Sequence, residues 1–221
     1  MDELRERVVG LAAEAAMTDD PFSWFEQIYT EANGDWTQVP WEDQRENPLL
    51  SEWFEGGDFK PSQLKCLIVG CGLGDDAAYL ADLGCSVTAF DISETAIRWA
   101  QRIYSGKGIQ WHTANLLDLP VEWNDSFDLV VEIHILQAMP WKPRDLGSVA
   151  LPKLVNKGGF LVSIGRLCEP GEEIEGPPWP LTKDWLFAMG KEMELEDFIE
   201  TRREDDEPET RRYRAVWRNP C

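Results

Sequence analysis

The chain has 221 residues, 43 % of them apolar, enough for one sizeable core, and it lacks the run of about eighteen apolar residues needed to span a bilayer. With 41 acidic against 21 basic residues the net charge is −20, a field that repels phosphate backbones and anionic lipid and so argues against nucleic acid and membrane as partners. The charged start Met1–Arg7 has no apolar signal core, which points to a cytoplasmic protein; five cysteines without a CxxC pair, beside two histidines, match no recognised metal spacing or disulfide framework.

Leu4, Val8, Leu11, Ala12 and Ala15 recur at helical spacing, predicting a helix over residues 2–17. Asp20-Pro21 reads as an N-cap followed by proline at the first helical position, with Gly34 ending that helix. Asn47-Pro48 repeats the start signal and Gly56 the stop. Residues 1–60 are therefore expected to form a helical, tryptophan-rich appendage (Trp24, Trp36, Trp41, Trp53), and residues 61–221 the main domain.

From Lys65 the pattern changes. Cys66-Leu67-Ile68-Val69 is a continuous apolar run ending in glycines, as a strand buried on both faces should be. A helix is expected from Asp75 to Leu83, a strand over Ser86–Phe90, and a helix capped by Ser93 that runs through Tyr104. Ile109–Thr113, Phe127–Glu132 and Gly159–Ser163 supply three more strands, and Pro152 should kink or restart the helix before the last of them. Glu194–Arg202 and Arg211–Trp217 read as a terminal hairpin on the sheet edge, joined by the acidic turn Glu204–Glu207. The alternation predicts an α/β fold: a Rossmann-like, seven-stranded, mostly parallel sheet with helices on both faces and a helical N-terminal appendage.

The sharpest local signal is Val69-Gly70-Cys71-Gly72-Leu73-Gly74-Asp75-Asp76, between the first strand and the helix after it. Glycines there admit unusual φ and let a ligand approach bare backbone. Asp91 follows Gly70 by 21 residues, at the end of the next strand, where a carboxylate accepts hydrogen bonds from ribose hydroxyls. Dinucleotide sites use G-x-G-x-x-G and seat pyrophosphate on the helix start. Here the spacing is G-x-G-x-G, and Asp75 and Asp76 occupy that helix start. Two acids there repel phosphate but tolerate a ligand bearing ammonium and sulfonium charges.

Leu67–Gly74, Val87–Ser93, Asn115–Pro120 and Phe127–Val131 together resemble class I S-adenosylmethionine-dependent methyltransferases over roughly residues 64–165. Trp41-Glu42 through Asn47-Pro48-Leu49-Leu50 looks like the entry segment of the thiopurine and thiol methyltransferase branch. The resemblance implies S-adenosyl-L-methionine as cofactor, bound by Gly70, Cys71, Gly72 and Gly74 at its methionine and ribose, by Asp91 at the ribose, and by Ile92, Asn115 and Leu116 around the adenine. Ile68 stands where many members carry an acid, leaving open which group meets the cofactor's ammonium.

Methyl transfer from a sulfonium is an in-line displacement for which orientation supplies much of the rate. His134, after the fourth strand, is either a general base or a pocket-shaping side chain. Glu132 either meets the ammonium or ends its strand, and Gln137 is a further pocket candidate. Glu175-Gly176-Pro177-Pro178-Trp179-Pro180-Leu181 is a stiff loop whose Trp179 either closes over substrate or packs the C-terminal helix; Trp41 offers the same choice between cofactor cover and core. The expected function is methyl transfer to a small-molecule thiol, amine or similar nucleophile, by a monomer or homodimer. The alternatives are a nicotinamide-dependent oxidoreductase and an S-adenosylmethionine-binding protein without turnover.

Overall fold

The computed structural model describes residues 2–56, 61–172, 174–203 and 206–221. The expected division at residue 60, and Glu204 and Asp205 of the expected acidic turn, lie outside these described residues.

Three helices open the chain: α1 (Asp2–Ala15), α2 (Ser23–Ala32) and α3 (Pro48–Glu55). Asn47 caps α3 as its sequence requires, its Oδ1 accepting the Leu49 N–H at 3.0 Å. The start of α2 differs from expectation. Asp20 Oδ1 takes the Phe22 N–H at 3.1 Å, closing a local turn over Pro21, so the helix begins only at Ser23.

The α/β part follows: β1 (Lys65–Val69), α4 (Asp75–Asp82), β2 (Ser86–Asp91), α5 (Glu94–Ile103), β3 (Gln110–Thr113), β4 (Phe127–Ile133), α6 (Trp141–Leu154), β5 (Val155–Leu167), α7 (Lys183–Met189), β6 (Glu194–Thr201) and β7 (Arg211–Arg218). Ser93 caps α5 by accepting the Ala96 N–H at 3.0 Å. Helix α6 runs through Pro152 and stops two residues later. Strand β5 is far longer than the expected Gly159–Ser163. It pairs with Phe127 at Val155, passes an irregularity at the Gly158-Gly159 stretch, and continues against β7 as far as Leu167.

The seven strands lie in the order β3-β2-β1-β4-β5-β7-β6, with β7 antiparallel to both its neighbours and the rest parallel. Alternation along β1 divides the core. Leu67 and Val69 join Val130, Leu161 and Leu151 on one face. Cys66 and Ile68 join Leu129, Val162 and Leu80 on the other, together with Leu49, Leu50 and Phe54 of α3. The opening helices form a third cluster around Trp24, Ile28 and Tyr29 that reaches Leu73 of the glycine loop and Ala96 of α5. Glu26 of α2 fixes this cluster in place, accepting from Ser93 Oγ at 2.6 Å and Thr95 Oγ1 at 2.5 Å. Helices α1 and α2 thus lie over the glycine loop and the start of α5, at the carboxyl edge of the parallel strands, while α3 packs on a face of the sheet. Strand order reverses between β1 and β4, the place where open α/β sheets form their ligand crevice.

Candidate functional site

At that crevice, Gly70 and Gly72 take φ of 59° and 53°. A Cβ on Gly70 would fall 2.3 Å from Ile135, and one on Gly72 would fall 2.6 Å from Glu42 Oε1, so both positions need glycine for conformation and for space. Gly74 serves a different neighbour: its missing Cβ makes room for Trp111 of β3.

A cleft opens beside the loop, lined by Gly70, Phe90, Asp91, Ile92, Asn115 and Leu116, with Phe22 and Phe25 of the N-terminal segment and Ile135 and Met139 completing it. Five residues expected at one site therefore do share one wall. Asp91 is buried, and each of its oxygens accepts one backbone N–H: Gly72 at 2.9 Å and Ser93 at 2.9 Å. Asn115 uses its Oδ1 on the Leu117 N–H at 2.9 Å, which shapes the turn that presents Leu116.

Glu42 comes from the N-terminal segment and lies on the glycine loop, accepting from the Leu73 N–H at 3.1 Å and from Tyr29 Oη at 3.2 Å. Tyr29 Oη in turn accepts the Trp41 indole N–H at 2.8 Å, and Trp41 packs edge-on against Trp24, Phe25 and Tyr29. Asp75, Asp76 and Asp91 surround the same loop. Burial pushes Glu42 up to about 8 and Asp76 up to about 7, with Asp91 and Asp75 also raised, because no described residue places a cation against any of the four. Asp76 accepts the Asn47 N–H at 2.7 Å and Asp75 accepts from Tyr104 Oη, so the start of α4 is already occupied.

Across the crevice, His134 follows β4 with φ of 62°, a left-handed conformation uncommon for a side chain of this kind and concentrated at functional sites. Its Nδ1 lies 2.9 Å from Gln137 Oε1. The Gln137 side-chain amide also spans the Arg166 backbone, accepting its N–H at 2.9 Å and donating to its carbonyl at 2.5 Å, while the Gln137 backbone carbonyl accepts the Trp179 N–H at 2.7 Å. One buried glutamine thereby ties the strand ends to the proline-rich loop. Trp179 itself packs on the N-terminal helical cluster. Glu132 is fully buried; it accepts from the Ile135 N–H at 3.1 Å and the Leu136 N–H at 3.4 Å, and from Ser163 Oγ. Burial first, against those hydrogen bonds, sets it at about 7.

Residues 66–159 match the family model described as a methyltransferase domain. Over those residues the chain is similar to S-adenosylmethionine-dependent methyltransferases. It is 23 % identical to a probable thiol methyltransferase of Arabidopsis thaliana over 77 % of this chain and 78 % of that protein. It is 32 % identical to a ubiquinone biosynthesis O-methyltransferase of Thiobacillus denitrificans over 52 % of this chain, spanning about half (49 %) of that relative's length. Its fold is similar to that of a magnesium protoporphyrin IX methyltransferase from Synechocystis with bound S-adenosylmethionine: TM-score 0.67, 16 % identity, 92 % of this chain and 99 % of that one.

The residues around the methyltransferase domain's glycine loop fit that cofactor. The loop offers bare backbone, the cleft is apolar with a buried carboxylate at its rim, and the neighbouring acids want positive charge. Sequence reasoning missed Glu42. Ile68 turns into the apolar cluster with α3 and α4, so an acid at that position would be buried away from the loop. Trp41-Glu42 was visible as a motif; its reach to Leu73, across 31 positions, was not.

Proposed function

We propose that this domain methylates a small-molecule thiol or comparably soft nucleophile in the space between the glycine loop, His134 and the Trp179 loop. The observation that carries the reading is the uncompensated carboxylate set of Glu42, Asp75, Asp76 and Asp91 around a glycine-lined bend, an environment suited to a cationic methyl donor. The similarity to a thiol methyltransferase over most of both chains supports sulfur as the acceptor atom.

When bound, S-adenosylmethionine supplies an electrophilic methyl group and leaves as a neutral thioether. Asp91 accepts the ribose hydroxyls, Ile92 packs on the adenine, Asn115 and the Leu116 backbone meet its edge, and Gly70, Cys71 and Gly72 line the methionine tail, while Gly74 sets the loop by admitting Trp111. Glu42 meets the ammonium, the task Ile68 cannot perform. Glu132 brackets the turn that places Ile135 against Gly70. His134 takes the acceptor's proton as its heteroatom bonds carbon, and Gln137 positions the ring. Residues 1–60 act as a cap on the 61–221 domain, with Trp41 and Trp179 excluding water.

Titration calorimetry with S-adenosylmethionine and S-adenosylhomocysteine tests the donor site, and a panel of thiols, phenols and amines assayed for S-adenosylhomocysteine release tests the acceptor. Saturable binding with turnover of thiols is the expected result. Binding without release from any acceptor would withdraw the catalytic assignment.

A further inference from the structure

Among the described residues, nine Lys and Arg side chains lie within ion-pair distance of a carboxylate. On β7, Arg211 pairs with Glu169 and Glu200, and Arg214 with Asp197. Arg166, at the carboxyl end of β5, does not. Its guanidinium makes no hydrogen bond and no ion pair with any described residue, and its Nε is buried and unsatisfied. Arg203 shares that buried, unbonded Nε, and its nearest carboxylate, Asp43, is 4.0 Å away and largely exposed. Arg212 completes the group, held by Asp206 through Nε at 2.7 Å and Nη2 at 2.5 Å. Arg166 feels the charges of Arg212, Asp206, Arg5 and Arg203, and Arg203 those of Arg212, Asp43, Arg45 and Asp206. Around one buried carboxylate, three guanidiniums are therefore gathered where desolvation penalises each unpaired charge.

The location gives this surplus a purpose. Gln137 bonds the Arg166 backbone and also holds His134, so Arg166 stands beside His134 at the carboxyl ends of β4 and β5, its side chain turned by strand alternation to the face opposite Gly165. The same three arginines act on the His134 ring through space, each disfavouring its protonated form. Positive charge on one side and negative on the other sorts two ligands: a cation to the glycine loop and an anion opposite it.

We propose that Arg166, supported by Arg203 and Arg212, is an anion-binding site for the methyl acceptor, and that the acceptor is a small molecule carrying a fixed carboxylate or similar acidic group besides its nucleophile. The site rests on the methyltransferase reading above for its role, but its chemistry can be measured without turnover. Planar guanidinium donors match a carboxylate in bidentate geometry, which gives orientation as well as affinity.

The experiment uses the full chain saturated with S-adenosylhomocysteine, titrated with 4-mercaptobenzoate and with its neutral match, 4-mercaptobenzamide. The wild-type protein should bind the carboxylate about tenfold more tightly than the amide, the difference shrinking as salt is raised. Arg166→Gln should abolish that preference while leaving amide and S-adenosylhomocysteine affinities unchanged; Arg203→Gln, a partly exposed position, should reduce it and serves if the first variant does not fold. Wild-type protein that holds the carboxylate no better than the amide, including no detectable binding of either, overturns the site, as does a preference that survives in both variants. If the preference and its loss are seen but neither thiol is methylated, the anion site stands and the sulfur-acceptor reading falls.

Discussion

Gln137 Oε1 and His134 Nδ1 lie 2.9 Å apart, and this contact decides which ring nitrogen carries the proton. The Arg166 N–H needs an acceptor and its carbonyl needs a donor, so the Gln137 amide has one orientation, oxygen toward the N–H. An oxygen facing Nδ1 requires Nδ1 to donate. The lone pair is left on Nε2, the tautomer a base needs. Burial, reinforced by Arg166, Arg212 and Arg203, holds the imidazolium form down at about 4.

The ring is accordingly neutral throughout the working range. With a thiol that the enzyme turns over, kcat/KM should show no break near pH 6.5 attributable to histidine. His134→Ala should lower kcat by about a hundredfold or more while S-adenosylhomocysteine affinity holds. A break near 6.5 that disappears in the variant would mean that the ring is hydrated and not locked by Gln137.

Glu42 is expected to read the amino-acid end of the cofactor. Glu42→Gln keeps the shape and removes the charge, so S-adenosylhomocysteine binding should weaken about tenfold, as for a lost charge-assisted hydrogen bond. Binding of 5′-methylthioadenosine, which lacks that end, should not change. Equal losses for both ligands, measured by calorimetry, would make Glu42 a support for the loop and not a ligand contact.

Asp91 should carry a larger share. Asp91→Ala removes a ribose acceptor and leaves the Gly72 and Ser93 N–H groups without their partner, weakening cofactor binding by about 2 kcal/mol. Unchanged affinity in that variant would mean the ribose lies elsewhere.

The raised carboxylates make the stability of the ligand-free protein fall with pH. In the unfolded chain Glu42, Asp76 and Glu132 lose their protons near pH 4. In the folded chain they do so only at about 7–8. Protonation therefore favours the folded state: stability is full below the unfolded values and is lost as pH rises through the folded ones. Thermal melts from pH 5 to 8.5 should show a declining Tm, by roughly 2–4 °C for each kcal/mol. Saturating S-adenosylmethionine should flatten the decline, since its positive charge offsets the ionised acids. A Tm that climbs over this interval without ligand would contradict the uncompensated cluster.

Legibility in the sequence followed the range of the interactions. The glycine loop, Asp91 and Ser93 depend on neighbours within one strand–turn–helix unit, so spacing alone placed them. The sheet followed because strands buried on both faces announce themselves as apolar runs. The full length of β5 was hidden: its outer half owes its extension to β7, which lies some fifty positions away in sequence. Arg166 and Glu42 were unreadable for a related reason. What distinguishes them is the presence or absence of a partner from another element, a property of packing and not of composition.

Gly165 tests how tightly the Gln137 arrangement is built. It lies in the middle of the β5–β7 pairing, and a Cβ there would fall 2.6 Å from Gln137 Oε1 and 3.0 Å from the Tyr213 ring. Tyr213 is buried and fixed by Ser163, so the glutamine must give way. Gly165→Ala should cost about 1–3 kcal/mol in overpacking. Displacing the amide also breaks its bonds to Arg166 and His134, so kcat should fall further than the lost stability explains, while the donor site, built on β1 and β2, keeps its affinity. Chemical denaturation paired with S-adenosylhomocysteine titration separates the two effects: a variant with full activity at reduced stability would show that the ring is placed without Gln137.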